Sequence, residues 1–239
     1  MKRAFVIILV LYITDFILDS IIAAYNDNSL RYVSKGILMP LLLAFFITET
    51  KTHISSANKK YIWLICLALI FSFLGDVFLI GESSLNFMLG IAAFLLAQVC
   101  YVIFFTSIER FSKKHNFFLS IAAVIILCYL FILNYLFYPT VVKQSFLIPV
   151  LAYSLVLGLM LFTSINLRHA MQLNKMNRLY FIAGAIIFVA SDSMIGFNSF
   201  YLPGALPGFY IMLTYCIAQF LIVSGAIKFV QHNKGAECS

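Results

Sequence analysis

Residues 61–80 read YIWLICLALIFSFLGDVFLI, a run whose single charge is Asp76. At 1.5 Å of rise per residue, about twenty helical residues reach across the ~30 Å hydrocarbon core of a bilayer. The aspartate is the informative exception. A charge at the bilayer centre costs roughly 2.5–3.5 kcal/mol on insertion scales. The chain meets that cost twice, because Ala190-Ser191-Asp192-Ser193 puts a second carboxylate into a later apolar run.

The rest of the chain has the same character. It is 239 residues long, 63% hydrophobic and 10% charged, with a mean hydropathy of +1.02. A soluble domain carries about 25% charged residues, and one globular core cannot hide this much apolar surface, so the solvent is lipid. Long unbroken apolar runs rather than short alternating ones exclude a β-barrel. The predicted fold is all-α, a polytopic transmembrane helical bundle of eight spans: Ala4–Ala24, Arg31–Thr48, Tyr61–Ile80, Asn86–Ser107, Phe117–Phe137, Ser145–Ile165, Arg178–Phe200 and Pro207–Val230. The connecting loops leave no room for a soluble domain. Residues 1–230 read as a single transmembrane domain and 231–239 as a short cytoplasmic tail. The start, Met1-Lys2-Arg3 before apolar residues, resembles a signal peptide. Asp15 and Asp19 interrupt it and no small-x-small cleavage site follows, so it reads as a retained first span.

Orientation follows from the sixteen Lys and Arg residues. Thirteen fall at the two ends and in the loops after spans two, four and six, against two, Arg31 and Lys143, in the opposite loops. The positive-inside rule then places both termini in the cytoplasm of a multi-pass cell-membrane protein, the inner membrane if the source is bacterial. On that topology Asp76 lies about 6 Å and Asp192 about 12 Å from the outer ends of their spans, with Lys35 just inside the outer end of span two. No charge falls in the inner third. The net charge of +7 therefore reports orientation rather than nucleic-acid binding. The five cysteines are odd in number and unpaired in spacing, which argues against a disulfide framework or zinc ribbon. His53, His115, His169 and His232 all fall in cytoplasmic loops or tail, so no intramembrane histidine–metal site is expected, and no cofactor.

Intramembrane ionisable groups must face one another or a water-filled cavity. Asp76 and Asp192 are the candidate catalytic pair, expected to meet in one wet cavity open to the extracytoplasmic leaflet. Lys35 and Asp19 are candidates beside them, Lys35 either meeting a lipid phosphate or holding an aspartate ionised. Tyr101 with Gln98 (i, i+3) and Tyr215 with Gln219 (i, i+4) share helix faces, as pocket walls or as interhelical hydrogen bonds. Asn198 extends the polar run around Asp192. Pro40 and Pro149 interrupt spans two and six. The order Pro40, Asp76, Gln98 recurs as Pro149, Asp192, Gln219, which fits two parallel four-span halves. Carboxylates, one lysine, tyrosines and amides suit general acid–base work on a lipid-like substrate.

Several short runs together resemble the YhhN family, which includes the lysoplasmalogenases. They are Lys35 with Met39-Pro40, Leu74-Gly75-Asp76, Phe94 through Tyr101, Pro149-Val150 with Tyr153, Ser191-Asp192 through Asn198-Ser199-Phe200, and Tyr215 with Gln219 through Ile222. This chain departs from the family where Gln98 and Gln219 stand at positions commonly or sometimes His, and where Gly36 rather than Pro follows Lys35. The resemblance implies an eight-span hydrolase that cleaves the vinyl ether of a lysophospholipid substrate, lysoplasmalogen, giving a fatty aldehyde and a glycerophospho-base. It also implies Tyr153 as a substrate-binding residue. Protonation of an alkene carbon followed by attack of water asks for one carboxylic acid and one carboxylate; the sequence assigns neither role. Two other classes stay open: a small-molecule or proton-linked transporter, against which the one-sided clustering of charge weighs, and a non-catalytic lipid-binding protein.

Overall fold

In the computed structural model of the chain, residues 7–8, 10–18, 28–81, 83–111 and 117–233 are described, and of 28–34 the backbone alone. Among these the architecture is all-helical. A first helix, α1, covers 10–18. It is followed by α2 (Asn28–Thr50), α3 (Ser56–Ile80), α4 (Ser84–Ile108), α5 (Phe117–Lys143), α6 (Leu147–Asn166), α7 (Lys175–Phe200) and α8 (Gly208–His232), with 3₁₀ turns at Lys51–His53 and Leu167–His169. The six helices from α3 to α8 are each long and apolar enough to cross a membrane. Their outward surfaces carry the expected lipid-facing groups, among them Trp63, Phe131, Tyr135, Ile148 and Leu155.

Short polar residues fix where several spans begin. Ser55, Ser83 and Asn174 are N-caps, each accepting a hydrogen bond from the backbone N–H three residues on (Asn58, Asn86 and Asn177), which satisfies one of the orphan donors of a first turn. α3 therefore starts before Lys59 and Lys60, residues that charge alone assigns to a loop. Pro149 does not interrupt its span: α6 begins at Leu147, so the proline lies in the first turn, where a helix N–H has no acceptor anyway. Pro40 does lie inside α2. α5 runs on through Pro139 and ends in a Schellman-type closure. Phe146 N–H reaches Val141 O, Ser145 N–H reaches Val142 O, and Ser145 takes the left-handed conformation at φ 60°.

Two antiparallel hairpins, α3–α4 and α7–α8, form the most extensive pairings, with α2, α5 and α6 packed around them. At the end where α3 begins and α8 finishes, aromatic rings fill the interior: Phe104, Phe105, Phe181 and Phe229 are fully buried and meet Tyr61 and one another edge-on or tilted. Buried Asn58 fastens that end, donating to Val230 O at 3.1 Å and to His53 O. α1 lies against α8, with the Tyr12 hydroxyl donating to Cys216 O and its ring stacked on Phe220. The opposite half of the bundle holds the buried charged groups, Lys35, Asp76 and Asp192.

Gly75 lets α3 and α4 approach. A Cβ there would lie 2.5 Å from the Phe94 ring, and one at Gly90 would lie 2.7 Å from the Leu79 side chain. Gly75→Ala should destabilise the protein by about 1–3 kcal/mol through overpacking, whereas Gly36→Ala, with nothing within 4 Å of the new Cβ, should be neutral or slightly stabilising. Thermal unfolding of the detergent-solubilised variants checks the contrast, and equal midpoints would contradict it.

Candidate active site

Two carboxylates lie inside the bundle, each held by side chains from helices other than its own. Asp76 on α3 is 2% exposed. Its Oδ1 lies 3.6 Å from Nζ of Lys35 on α2, and its Oδ2 accepts a 2.9 Å hydrogen bond from the hydroxyl of Tyr215 on α8. Asp192 on α7 is 8% exposed. Its Oδ2 accepts a 3.0 Å hydrogen bond from Gln98 Nε2 on α4 and another from the hydroxyl of Tyr153 on α6.

Helix periodicity explains how α4 and α8 serve both acids. Phe94, Gln98 and Tyr101 follow one another at helical spacing down one stripe of α4. Tyr215 and Gln219 do the same on α8. Gln219 is fully buried and well bonded: its Oε1 accepts from Tyr101 at 2.5 Å and its Nε2 donates to Ser72 Oγ at 3.0 Å. Ser72, one turn before Asp76, was not among the residues the sequence suggested, although its i, i+4 spacing from the acid was a readable signal. Across the bundle Tyr101 on α4 bonds Gln219 on α8, while within α8 Gln219 Nε2 also approaches the Tyr215 hydroxyl at 3.5 Å. Gln98 keeps one atom over: its Oε1 is buried and accepts no hydrogen bond among the described residues. Such a group costs about 1–3 kcal/mol.

Equivalent positions of the two hairpins meet. The acid of α3 is held from α8 and the acid of α7 from α4. Phe94 and Tyr215, each one turn before its glutamine, touch edge-on with ring centroids 5.8 Å apart. Gly90 and Ile211, one turn earlier again, face the residues preceding the two acids. A Cβ on Gly90 would lie 3.5 Å from Gly75 O, and Ser191 Oγ donates to Ile211 O at 3.1 Å.

A cavity of about 80 Å³ opens beside Asp192. It lies at the end of the bundle where α3, α5 and α7 finish and α4 and α6 begin. Its wall is largely apolar, from Leu79, Phe94, Leu133, Phe137 and Leu157, and its polar groups are Asp192, Tyr153, Ser193, Asn134 and Ser154. The expectation of one wet cavity shared by both acids is therefore corrected. Asp192 borders the cavity and Asp76 does not, because Phe94 in the wall and Tyr215 behind it intervene. Lys35, Gln98, Tyr101, Tyr215 and Gln219 also lie off its surface. Asn198 is committed elsewhere: its amide donates to Leu206 O at 2.7 Å and accepts from Leu206 N–H at 2.9 Å, which ties down the α7–α8 loop. Asp19 lies outside the described residues. Among those described, no three His, Cys, Asp or Glu side chains gather as a metal site would require.

Six membrane-length helices with carboxylates buried among them define a multi-pass helical membrane protein. The chain belongs to the YhhN family, whose family model matches residues 30–226. It is 32% identical over 165 residues to proteins named lysoplasmalogenase from Mycobacterium bovis and Mycobacterium tuberculosis, an alignment covering 68% of this chain and 59% of theirs. To the Homo sapiens protein named lysoplasmalogenase TMEM86A it is 30% identical over 165 residues, 69% of this chain and 65% of that one. The chain thus spans about six tenths of the length of the curated relatives it matches. No solved structure matches it.

The ion pair yields a direct test. Removing Lys35 alone as Lys35→Met strands a buried carboxylate and should cost about 3–5 kcal/mol, whereas Lys35→Met with Asp76→Asn should recover most of the loss. Unfolding of the four proteins in one detergent measures the coupling, and strictly additive effects would show that the pair does not act as a unit.

Proposed function

We propose that this chain is a membrane-embedded hydrolase of the lysoplasmalogenase type, cleaving the vinyl ether bond of lysoplasmalogen to a fatty aldehyde and glycerophosphoethanolamine or glycerophosphocholine. The observation that carries the reading is Asp192 at the edge of an apolar cavity with both of its hydrogen-bond donors on Oδ2. Among the described residues no donor reaches Oδ1, which leaves that oxygen for a guest. The names and family of the relatives point to the same chemistry.

Asp192 takes the acid role. The carboxylic acid gives its proton to the alkene carbon remote from the ether oxygen, and the C=C electrons form the new C–H bond. The carbon bearing oxygen becomes an oxocarbenium ion. The carboxylate left behind is its counter-ion, held by the Tyr153 hydroxyl and the Gln98 amide, which bond better to an anion than to a neutral acid. Water adds to the cationic carbon, the carboxylate takes back a proton, and the hemiacetal collapses to aldehyde and alcohol. The balance is one water consumed and the acid restored. An apolar wall suits this chemistry, since charge stabilisation by fixed donors is stronger where water is scarce.

Asp76 serves as a positioning group. Neutralised by Lys35, it fixes Tyr215, which backs the Phe94 wall of the cavity. On this reading Asp192 takes the acid role, which the sequence leaves unassigned between the two aspartates.

The finer topology follows the same reading. The chain has eight spans with both termini cytoplasmic, residues 1–230 forming one membrane domain and 231–239 a tail. The thirteen-to-two bias of basic residues supports that orientation, and the cavity then faces the extracytoplasmic half of the cell membrane. The crosswise contacts between hairpins support a 4+4 parallel repeat, with α3–α4 and α7–α8 as its matching hairpins.

Purified protein in nanodiscs should release aldehyde from lysoplasmalogen. Asp192→Asn should lower kcat about 10²–10⁴-fold, the usual worth of a general acid, with its melting temperature retained. Tyr153→Phe should fall between the two. Wild-type turnover by Asp192→Asn would remove the acid assignment, and a wild-type protein releasing no aldehyde would remove the reaction.

A further inference from the structure

We propose that the seam between α5 and α6 is the binding site for the hydrocarbon chain of the substrate, continuous with the bilayer past the Asn134–Ser154 pair. This rests on the reading of the cavity as a lipid-cleaving site and names where its substrate lies.

Three spaces converge on one side chain. Asn134 of α5 lines the cavity beside Asp192 and also two grooves along the α5–α6 seam. One groove is formed with Phe131, Tyr135, Tyr138, Leu147 and Leu151, the other with Leu127, Cys128, Ile132, Leu151 and Leu155. Ser154 and Leu130 border both the cavity and the second groove, and Phe137 borders both the cavity and the first. The partition between cavity and seam is therefore a single layer of side chains. At its centre Asn134 Nδ2 donates to Ser154 Oγ at 3.1 Å and to Leu130 O at 2.8 Å. A hydrogen bond between two neutral side chains is weak enough to open and reform, unlike interlocked core packing. The rings around it stand outward, with Phe131 and Tyr135 each 72% exposed in a segment that lies in hydrocarbon.

The occupant follows from the order of surroundings. Apart from Asp192, no charged side chain lines the cavity or either groove. At its other end the cavity shares Phe87 and Phe200 with a polar pocket formed by Ser83, Ser84, Gln144 and Ser199. Polar mouth, acid, apolar seam is the order of headgroup, ether and alkyl tail in a single-chain amphiphile. The cavity beside Asp192 meets the seam at the single Asn134–Ser154 contact, so one chain passes from it, which selects a lysolipid over a diacyl lipid. Asn134 is not among the residues the sequence singles out, although an isolated amide in the apolar run of span five was a readable signal.

The test uses a lysophospholipid whose chain is a saturated ether, inert to hydrolysis, with a photoreactive diazirine at its far end. The probe is irradiated with the full-length protein in nanodiscs. Adducts are expected on α5 and α6 around Phe131, Leu151 and Leu155, competed by excess unlabelled lysophospholipid and not by diacyl phospholipid. In Asn134→Cys/Ser154→Cys, with Cys128→Ser to remove the exposed native thiol, oxidation should reduce the competed labelling at least tenfold and reduction should restore it. Competed adducts on α2 or α8 would overturn the proposal, as would seam labelling that excess lysophospholipid does not displace. Because the probe is never cleaved, competed seam labelling without aldehyde release would leave the chain site standing and remove the reaction.

Discussion

A carboxylate in hydrocarbon must bring its own solvation, and in this bundle each one obtains it from the opposite hairpin. Asp76 on α3 is met by Tyr215 from α8 and Asp192 on α7 by Gln98 from α4, so neither hairpin can bury its acid alone. Such contacts add little net stability over well-packed apolar residues of the same volume. What they supply is register: a slip of α4 along α8 would separate Tyr101 from Gln219 and Phe94 from Tyr215 together with the acid contacts. The aromatic packing at the other end supplies the cohesion, which leaves this end free to hold the buried charges and empty space.

The two acids are alike in burial and unlike in surroundings, and the difference carries the functional reading. Asp76 has a lysine and a tyrosine on it and a wall between it and the cavity, the arrangement of a fixed structural charge. Asp192 has two neutral donors on one oxygen and an apolar cavity beside it, the arrangement of a group able to cycle between acid and anion. On the proposed reading, donors that favour the anion let the acid part with its proton without the full cost of a naked charge, and the water that adds to the cation is one admitted to the cavity.

Much of this was legible in the sequence because lipid simplifies the reading. Uninterrupted apolar length located the ends of α2 to α8 to within three residues, except that α3 starts five residues earlier and α5 runs six further, past Phe137 to Lys143. A lone charge inside such a run marked Asp76, Asp192 and Lys35 without any knowledge of packing. The errors occurred where local chemistry outweighed hydropathy. Lys59 and Lys60 look like loop but lie in a helix capped by Ser55, and Pro149 looks like a kink but occupies a first turn, where it costs nothing. Partnerships were less visible. Spacing along α4 put Tyr101 beside Gln98, yet the hydroxyl bonds Gln219 across the bundle, because the facing helix offers an acceptor in better line than a neighbour on the same surface. The separation of the two acids by Phe94 and Tyr215, and the meeting of Asn134 with Ser154, depend on how helices rotate against one another, which no single span records.

On the proposed reading Asp192, and not Asp76, is the protonatable carboxyl facing the cavity. A hydrophobic carbodiimide, which reacts with carboxylic acids reached through an apolar phase, tests it directly when its adducts are mapped by mass spectrometry. Modification of Asp192, prevented by a non-hydrolysable lysophospholipid and proportional to loss of aldehyde release, is the predicted result. An adduct on Asp76 with Asp192 untouched would contradict it.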